Sequence, residues 1–280
     1  MKTQFECYPC LMRHTLDMLR IADADPQQQR RVMRRILAEL SSFDADRSPP
    51  EMAHRIHRIV CQETGQRDPY LAIRQRSTGE ALGLYPRLQA QVAGAADPLQ
   101  TAIRVSVAGN IIDASISLDY DLGRTLERVL TEPFAIQALD QFRSALQACD
   151  AVLFLADNAG ETVFDRVLIE TLDKPVTYVV KGGPIFNDAT ADDARSAGVS
   201  RIATIIDNGS DAPGTVMSLC SAEFRTVLSQ AELIIAKGQA NYETLSGVKG
   251  PLFFLLQAKC SAVARDLGVP LNSIVFTSAA

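Results

Sequence analysis

The stretch at 151–161, AVLFLADNAGE, decides the fold prediction, because a short apolar run ends there in acidic, amide and small residues. The run at 151–155 has the length and continuous hydrophobicity of a buried strand, and a helix is predicted to follow at 161–172. Residues 176–180 repeat the pattern. Further apolar runs follow at 202–206, 232–236 and 273–276, with helices predicted near 189–197 and 214–230.

Strands that alternate with helices of about 10–15 residues are typical of a parallel sheet with right-handed crossovers. Before residue 149 the pattern is helical instead: residues 9–40 have apolar positions at helical spacing, and Pro26 and Pro98 each follow an aspartate, as in the first turn of a helix. We therefore predict an α/β protein with a mainly helical subdomain over 1–148 and a parallel-sheet domain over 149–280.

Composition narrows the function classes. The chain has 280 residues, 22% of them charged, and a formal net charge of −5, which argues against a protein that coats nucleic acid. The sequence has no apolar stretch near the roughly 20 residues that span a bilayer, and its first residues lack a hydrophobic signal core. We therefore expect a cytoplasmic protein with no membrane partner, whereas the sequence leaves the oligomeric state unknown.

Polar side chains follow four of the predicted strands. Because the carboxyl ends of parallel strands lie at one edge of a sheet, and ligands bind beyond that edge, these residues predict a polar pocket. The polar residues, with the glycines beside them, are Asp157, Asn158 and Glu161 after the first run; Lys181, Asn187 and Asp188 after the second; Asp207, Asn208 and Gly209 after the third; and Lys237, Gly238 and Asn241 after the fourth.

The residue types indicate the ligand. Aspartate and asparagine oxygens suit Mg²⁺ or Mn²⁺, and the lack of histidine or cysteine at these positions argues against a zinc site. Lysines beside a cation site favour a metal-bound phosphate ester. A helix cap remains the alternative for Asp157, a plain turn is favoured for 207–209, and Asp192 and Asp193 are expected on a solvated face.

Two further groups lie outside these strand ends. Asn110 and Asp113 are three residues apart, so both can project from one helical face toward the pocket, or cap a turn. His54 and His57, in an arginine-rich helix near 51–64, are expected to be solvated.

The cysteines allow a second site. Cys7 and Cys10 form a lone C-x-x-C pair, which is moderate evidence for metal or redox chemistry and is equally consistent with packing. Cys260 would complete a three-thiolate metal site if the two ends of the chain meet.

In order, four blocks of this sequence resemble the damage-control phosphatase family, a metal-dependent family formerly described as a domain of unknown function. The blocks are Gly109-Asn110-x-x-Asp113, Asp157-Asn158-Ala159-Gly160-Glu161, Lys181-x-x-Pro184-x-x-Asn187-Asp188 and Lys237-Gly238-x-x-Asn241-Tyr242-Glu243. The resemblance covers nearly the whole chain. The Cys7-x-x-Cys10 pair and Lys259-Cys260 are similar to the smaller, prokaryotic-type branch of the family.

The resemblance implies a helical domain packed on a three-layer α/β/α domain with a mostly parallel sheet, and hydrolysis of phosphate monoesters of small, damaged or sugar-phosphate metabolites. It implies one divalent cation (Mg, Mn, Co or Ni) held by Asp157, Asn158 and Asp188, which are also the implied catalytic residues. The residues that match substrate-binding positions are Asn110, Asp113, Glu161, Lys181, Asn187, Lys237, Gly238 and Asn241. Gln239 departs from some branches, which have aspartate there.

Two other functions use similar parts. A carboxyl methyltransferase dependent on S-adenosylmethionine would need a glycine-rich loop after the first strand, and 157–161 is a poor version of one. A non-catalytic sensor would bind the phosphometabolite through the same metal and lysines. Under the phosphatase hypothesis the nucleophile is either a metal-polarised water or a carboxylate.

Overall fold

The computed structural model describes residues 1–113 and 122–279, and it describes the side chains of this range except at 111–113 and 122–126. Its sheet has seven strands: β1 Ile136–Gln137, β2 Val152–Leu155, β3 Val176–Val180, β4 Thr204–Asp207, β5 Ile234–Lys237, β6 Leu252–Gln257 and β7 Ile274–Ser278. The strand order is β1-β7-β6-β5-β2-β3-β4. All pairs are parallel except β6 with β7. The predicted α/β class with a mostly parallel sheet is therefore confirmed.

The helices extend over both halves of the chain. The described helices are α1 Cys7–Ile21, α2 Pro26–Ser41, α3 Pro49–Thr64, α4 Leu71–Ala93, α5 Pro98–Asp113, α6 Leu122–Thr131, α7 Leu139–Ala148, α8 Glu161–Leu172, α9 Ala191–Ser196, α10 Ala222–Gln230, α11 Gly238–Leu245 and α12 Ser261–Leu267. Asp25 caps α2 ahead of Pro26, as the sequence predicts. No helix in the described ranges is long and apolar enough to cross a bilayer.

One predicted helix is shorter than expected. The sequence predicts a helix near 214–230, but α10 starts at Ala222 and residues 214–221 form turns and bends. Gly214 has a positive φ of 63°, and a Cβ atom there would lie 2.3 Å from the carbonyl oxygen of Ala240. The positive φ is not a helical conformation, so Gly214 lies outside α10. Ser221 caps α10 instead by accepting a hydrogen bond from the Phe224 amide.

Two apolar clusters cover the two faces of the sheet. Alternate residues of β2 separate them: Phe154 belongs to the cluster that includes α5 and α8, whereas Leu153 and Leu155 belong to the cluster that includes α10, α11 and α12. The result is the three-layer arrangement that the family resemblance implies. The predicted boundary at 148 stays a prediction, although β1 and α7 already lie before it.

A third apolar cluster joins the amino-terminal helices to the segment that follows β3. Helices α1, α2 and α3 pack around residues such as Met18, Ile36 and Met52. Ile185 and Phe186, from the segment after β3, belong to the same cluster. The segment that connects β3 to α9 is therefore packed into the helical half of the molecule.

Candidate functional site

The backbone brings Asp157 and Asn158 against Asp188 beyond the carboxyl ends of β2 and β3. Asn158 and Asp188 form an isolated antiparallel bridge. The amide of Ala189 donates to the carbonyl of Asp157 at 2.8 Å, and the amide of Ala159 donates to the carbonyl of Asn187 at 2.8 Å. These main-chain bonds place the three predicted metal ligands side by side.

Two asparagine side chains hold the carboxylates around Asp157. Nδ2 of Asn110, on α5, donates to Oδ2 of Asp157 at 2.9 Å and to Oε1 of Glu161 at 2.6 Å. Nδ2 of Asn158 donates to the same two oxygens at 3.2 and 2.6 Å. Because the nitrogen of Asn158 faces these carboxylates, its Oδ1 oxygen is directed away from them.

Lys237 lies beneath this cluster and is fully buried. Its Nζ donates to Oε2 of Glu161 at 3.0 Å, to Oδ1 of Asp165 at 2.6 Å and to the carbonyl of Ser106 at 2.9 Å. Burial by itself would lower the pKa of Lys237, but the charges of Asp165 and Glu161 raise it above its usual value. The ammonium group has three hydrogens, and three protein oxygens accept them.

Asp188 has an unsatisfied oxygen. Its Oδ2 atom is buried without a hydrogen bond, although Nζ of Lys181 is 3.4 Å away, close enough for charge attraction. Lys181 is itself buried and donates to the carbonyl of Gly214. Burial raises the pKa of Asp188 to about 6, an effect that Lys181 only partly offsets. A buried carboxylate oxygen without a donor is a place where a cation is expected.

Asp157 shows the same shortage of positive charge. Burial raises the pKa of Asp157 well above its usual value, and the neighbouring charges of Glu161 and Asp188 raise it further. Gly238 has a positive φ of 78° and adjoins the Asp157 carboxylate, so a side chain at position 238 has no room. A divalent cation beside Asp157 and Asp188 would supply the missing charge.

The donor set fits a hard divalent ion. Asp157 and Asp188 supply carboxylate oxygens, and Asn158 supplies an amide oxygen; such ligands suit Mg²⁺ and Mn²⁺. In the described part of the chain, no three His, Cys, Asp or Glu side chains converge as a metal-binding group. A metal at this edge therefore depends on the Asn158 oxygen beside the two carboxylates.

The other predicted substrate-binding residues occupy different environments. Asn241 is buried and holds the end of the sheet: its Nδ2 donates to the carbonyls of Ala156 at 3.1 Å and Lys237 at 2.8 Å. Asn187 lies next to Asp188 in the bridged segment. Asp113 is the last residue of α5, and its side chain lies outside the described residues.

Lys259 also belongs to this site, although it follows none of the predicted strands. It follows β6, which the predicted strands do not include, although every residue of β6 is buried. Nζ of Lys259 donates to the carbonyl of Asn110, and its charge acts to lower the pKa of Asp157. The missed strand explains the missed residue, because β6 ends at the same edge as β5.

The expectation that His54 and His57 are solvated is wrong. Both are buried, and Nε2 of His54 lies 2.8 Å from Oδ1 of Asp211. Burial lowers the pKa of His57 to about 4. The arginines of α3 suggested a solvated face, but α3 packs against α1, α2 and α11 and has several sides covered.

The expectation that Asp192 and Asp193 lie on a solvated face is confirmed for Asp192 and wrong for Asp193. Asp193 is buried rather than solvated: its Oδ2 accepts from the amide of Thr190 at 2.9 Å and from Nε of Arg74 at 3.0 Å. Asp192 is exposed, as predicted. Residues 207–209 form the predicted turn, in which the Gly209 amide donates to Asp207 at 2.8 Å.

The cysteines near the two ends of the chain share one region. All are free thiols. Burial raises the pKa of Cys10, and the nearby Cys260 and Glu243 raise it further. Sγ of Cys260 accepts from Nε2 of Gln239 at 3.4 Å and from the Val263 amide at 3.5 Å. These thiols belong to no metal-binding group of three side chains among the described residues, and the second site with Cys7 stays a prediction.

Known proteins share the sequence and the fold of this chain. Residues 3–275 match the family model of the damage-control phosphatase ARMT1-like domain. A damage-control phosphatase of Archaeoglobus fulgidus is 37% identical over 250 residues, 86% of this chain and 85% of its own. Damage-control phosphatase PH1575 of Pyrococcus horikoshii is 31% identical over 284 residues, 98% of this chain and 97% of its own. A crystal structure of a DUF89 family protein (PH1575) from Pyrococcus horikoshii matches with a TM-score of 0.93 at 30% identity, over 100% of both chains.

Proposed function

The chain belongs to the damage-control phosphatase ARMT1-like family, and on this basis we propose that it is a metal-dependent phosphatase of small phosphate monoesters. Its relatives in Archaeoglobus fulgidus and Pyrococcus horikoshii are named damage-control phosphatases. The observation that supports the proposal most directly is the juxtaposition of two buried aspartates, Asp157 and Asp188, the latter with an unbonded oxygen, beside the ammonium of Lys181.

The proposed metal ligands are Asp157, Asn158 and Asp188, and the proposed ion is Mg²⁺, Mn²⁺, Co²⁺ or Ni²⁺. When bound, such an ion withdraws charge from a phosphoryl group and stabilises the leaving oxygen. Asn110 and Glu161 do not need to touch the ion. Their hydrogen bonds orient the Asp157 carboxylate and the Asn158 amide, as outer partners of metal ligands commonly do.

Two lysines are proposed to bind the phosphate. The Lys181 ammonium lies next to Asp188, and the Lys259 ammonium lies on the Asn110 side of Asp157, so the two cations flank the proposed ligands. Each donates one hydrogen bond to a main-chain carbonyl and has three hydrogens, so each can also donate to phosphate oxygens. Asn187 and Asp113 stay predicted substrate contacts.

Lys237, Gly238 and Asn241 are proposed to shape the site without touching the substrate. All three hydrogens of the Lys237 ammonium are donated to protein oxygens. The Asn241 side chain donates to main-chain carbonyls at the ends of β2 and β5. Gly238 provides the space that the Asp157 carboxylate occupies. The substrate is proposed to be a small phosphorylated metabolite, including a damaged metabolite or a sugar phosphate.

The test is metal-restored hydrolysis of an artificial phosphate ester. After chelation and removal of the chelator, we expect turnover of p-nitrophenyl phosphate to return on addition of Mg²⁺, Mn²⁺, Co²⁺ or Ni²⁺. Asp188→Asn should abolish the restored turnover, whereas Asp192→Asn, which alters an exposed acid of α9, should not. Normal turnover by folded Asp188→Asn would exclude the ligand assignment, and binding of S-adenosylmethionine without metal-restored turnover would favour a methyltransferase.

A further inference from the structure

The residue two positions before Asp188 has an unusual backbone conformation. Phe186 has a φ of +46°, in the left-handed region that a phenylalanine rarely adopts. Such a conformation persists only where the surrounding contacts hold it in place. The contacts around Phe186 therefore help to determine where Asp188 lies.

The ring of Phe186 is held by the amino-terminal helices. Its centroid lies 4.4 Å from that of His14 on α1, 5.1 Å from that of His57 on α3, and 6.0 Å from that of Tyr70, which directly precedes α4. These three residues come from separate helical segments. The position of the ring thus depends on the packing of the helical half.

Arg74, on α4, holds both ends of the segment 186–190. Its Nη1 donates to the carbonyl of Phe186 at 3.3 Å, and its Nε donates to Oδ2 of Asp193 at 3.0 Å. Asp193 in turn accepts from the amide of Thr190 at 2.9 Å and from its hydroxyl at 2.6 Å. The first end of the segment is held directly and the other through Asp193.

Arg74 is itself fixed. Asp68 accepts two hydrogen bonds from its guanidinium, at 2.8 and 2.7 Å, and Arg74 is almost completely buried. A guanidinium has a planar set of donors that can serve several oxygens at once, which a lysine cannot reproduce. Removing it would leave the buried carboxylate of Asp193 and the partly buried carboxylate of Asp68 without their partner.

We propose that Arg74 is a positioning residue for the candidate metal centre: it fixes segment 186–190 from the helical half, and so places Asp188 opposite Asp157 and Asn158. The part of this inference that concerns the metal rests on the proposed function. The part that concerns the position of segment 186–190 does not. Since coupling between two contacts is reciprocal, a bound ion should also stabilise the contact between α4 and this segment.

The experiment measures Mn²⁺ binding by the full chain, using calorimetry or the electron paramagnetic resonance signal of free Mn²⁺. We expect Arg74→Met to weaken Mn²⁺ binding by about tenfold or more, as the loss of a residue that supports a metal ligand does. The Mn²⁺ affinity of Arg74→Lys should lie between that of Arg74→Met and that of the unaltered protein. The matched control is Arg166→Met. Arg166 is another mostly buried arginine that contacts α4, through Tyr85, and the end of α9, through the Ala197 carbonyl, but not segment 186–190.

Hydrogen exchange of the metal-free proteins provides the second readout. The Ala189 amide donates to Asp157, so its protection reports on the position of the segment. Arg74→Met should lose protection over 186–190, and Arg166→Met should keep it. If the unaltered protein binds no Mn²⁺, the metal assignment fails, and this exchange result alone decides the role of Arg74. Equal Mn²⁺ affinity in Arg74→Met and the unaltered protein would overturn the inference. Equal protection of 186–190 in Arg74→Met and Arg166→Met would also overturn it. If Arg74→Met does not fold, both measurements are made on Arg74→Lys.

Discussion

Gly238 provides the space that the Asp157 carboxylate occupies: a Cβ atom at position 238 would lie 1.9 Å from Oδ2 of Asp157. Asn110 and Asn158 both donate to the same oxygen, and these hydrogen bonds hold the carboxylate in this orientation. Gly238, the first residue of α11, therefore helps to determine the shape of the site, together with the proposed ligands.

Replacing Gly238 by alanine should displace Asp157 and abolish Mn²⁺ binding. The change also strains the backbone, because φ is +78°, and the left-handed conformation costs an alanine about 1–2 kcal/mol. Gly268→Ala is the matched control: its φ is +68° and nothing lies within 4 Å of its Cβ position. Both variants should lose stability in thermal unfolding, but only Gly238→Ala should lose Mn²⁺ binding. Unimpaired binding by Gly238→Ala would contradict the close contact.

Asp188 should make the metal-free protein less stable as the pH rises. Burial raises its pKa to about 6, so the folded state holds the proton more tightly than the unfolded chain, in which the pKa is about 4. The resulting stability is present below about pH 4 and is lost as the pH rises through about 6. Asp188→Asn lacks this titration. Above pH 6 the metal-free variant should therefore melt at a higher temperature than the unaltered protein, and the difference should shrink toward pH 4.

Metal should reverse that order. Mn²⁺ should raise the melting temperature of the unaltered protein, because an ion that binds only the folded state stabilises it, and should leave Asp188→Asn unchanged. Asp192→Asn, at an exposed position, should follow the unaltered protein in both measurements. A melting temperature of metal-free Asp188→Asn below that of the unaltered protein at pH 7 would show that the Asp188 carboxylate is stabilising instead.

Replacing Lys237 by methionine should cost about 3–5 kcal/mol in the free energy of unfolding, because it leaves buried carboxylates of Glu161 and Asp165 without their cation. The measurement is urea unfolding. Lys174→Met, which removes a single hydrogen bond to the Cys149 carbonyl, should cost about 1 kcal/mol. Adding Asp165→Asn to Lys237→Met should restore part of the loss, since one unpaired charge fewer is then buried. Equal losses in the two lysine variants would show that the buried network contributes little.

Lys181→Met and Lys259→Met should weaken substrate binding more than metal binding. Loss of one charge-assisted hydrogen bond to phosphate should cost about 1.5–3 kcal/mol, a rise in KM of roughly tenfold or more. Mn²⁺ affinity, measured without substrate, should change little. Lys249→Met, at an exposed position, is the control. A variant with unchanged kcat and KM would remove that lysine from the phosphate site.

The sequence was sufficient for the elements with strong local patterns. The apolar runs that became β2, β3, β4 and β5 lie between helices, and the polar residues after β2, β3 and β5 lie at one edge, as a parallel sheet requires. The helix starts at Pro26 and Pro98, each after a capping aspartate, were also readable from residue types alone. These features depend on periodicity and turn chemistry, which are local properties.

Features that depend on distant contacts were not predictable in this way. Strand β6 is a different case, because its apolar run at 252–256 is a local signal as long as the one at 151–155, and Lys259 follows from it. Arg74 lies on α4 with no motif around it, and only the fold shows that it meets Asp193 and Phe186. The burial of His54 likewise results from the packing of α3 against other elements.

The main-chain pairing of 157–159 with 187–189 has a consequence for redesign. Amide–carbonyl bonds hold these two segments together, and these bonds use no side-chain atom of Asn158 or Asp188. Imidazole groups could be introduced there to recruit a softer transition metal onto the same framework. The protein thus offers a ready scaffold for artificial metalloenzymes whose reactivity is chosen by the substituted ligands.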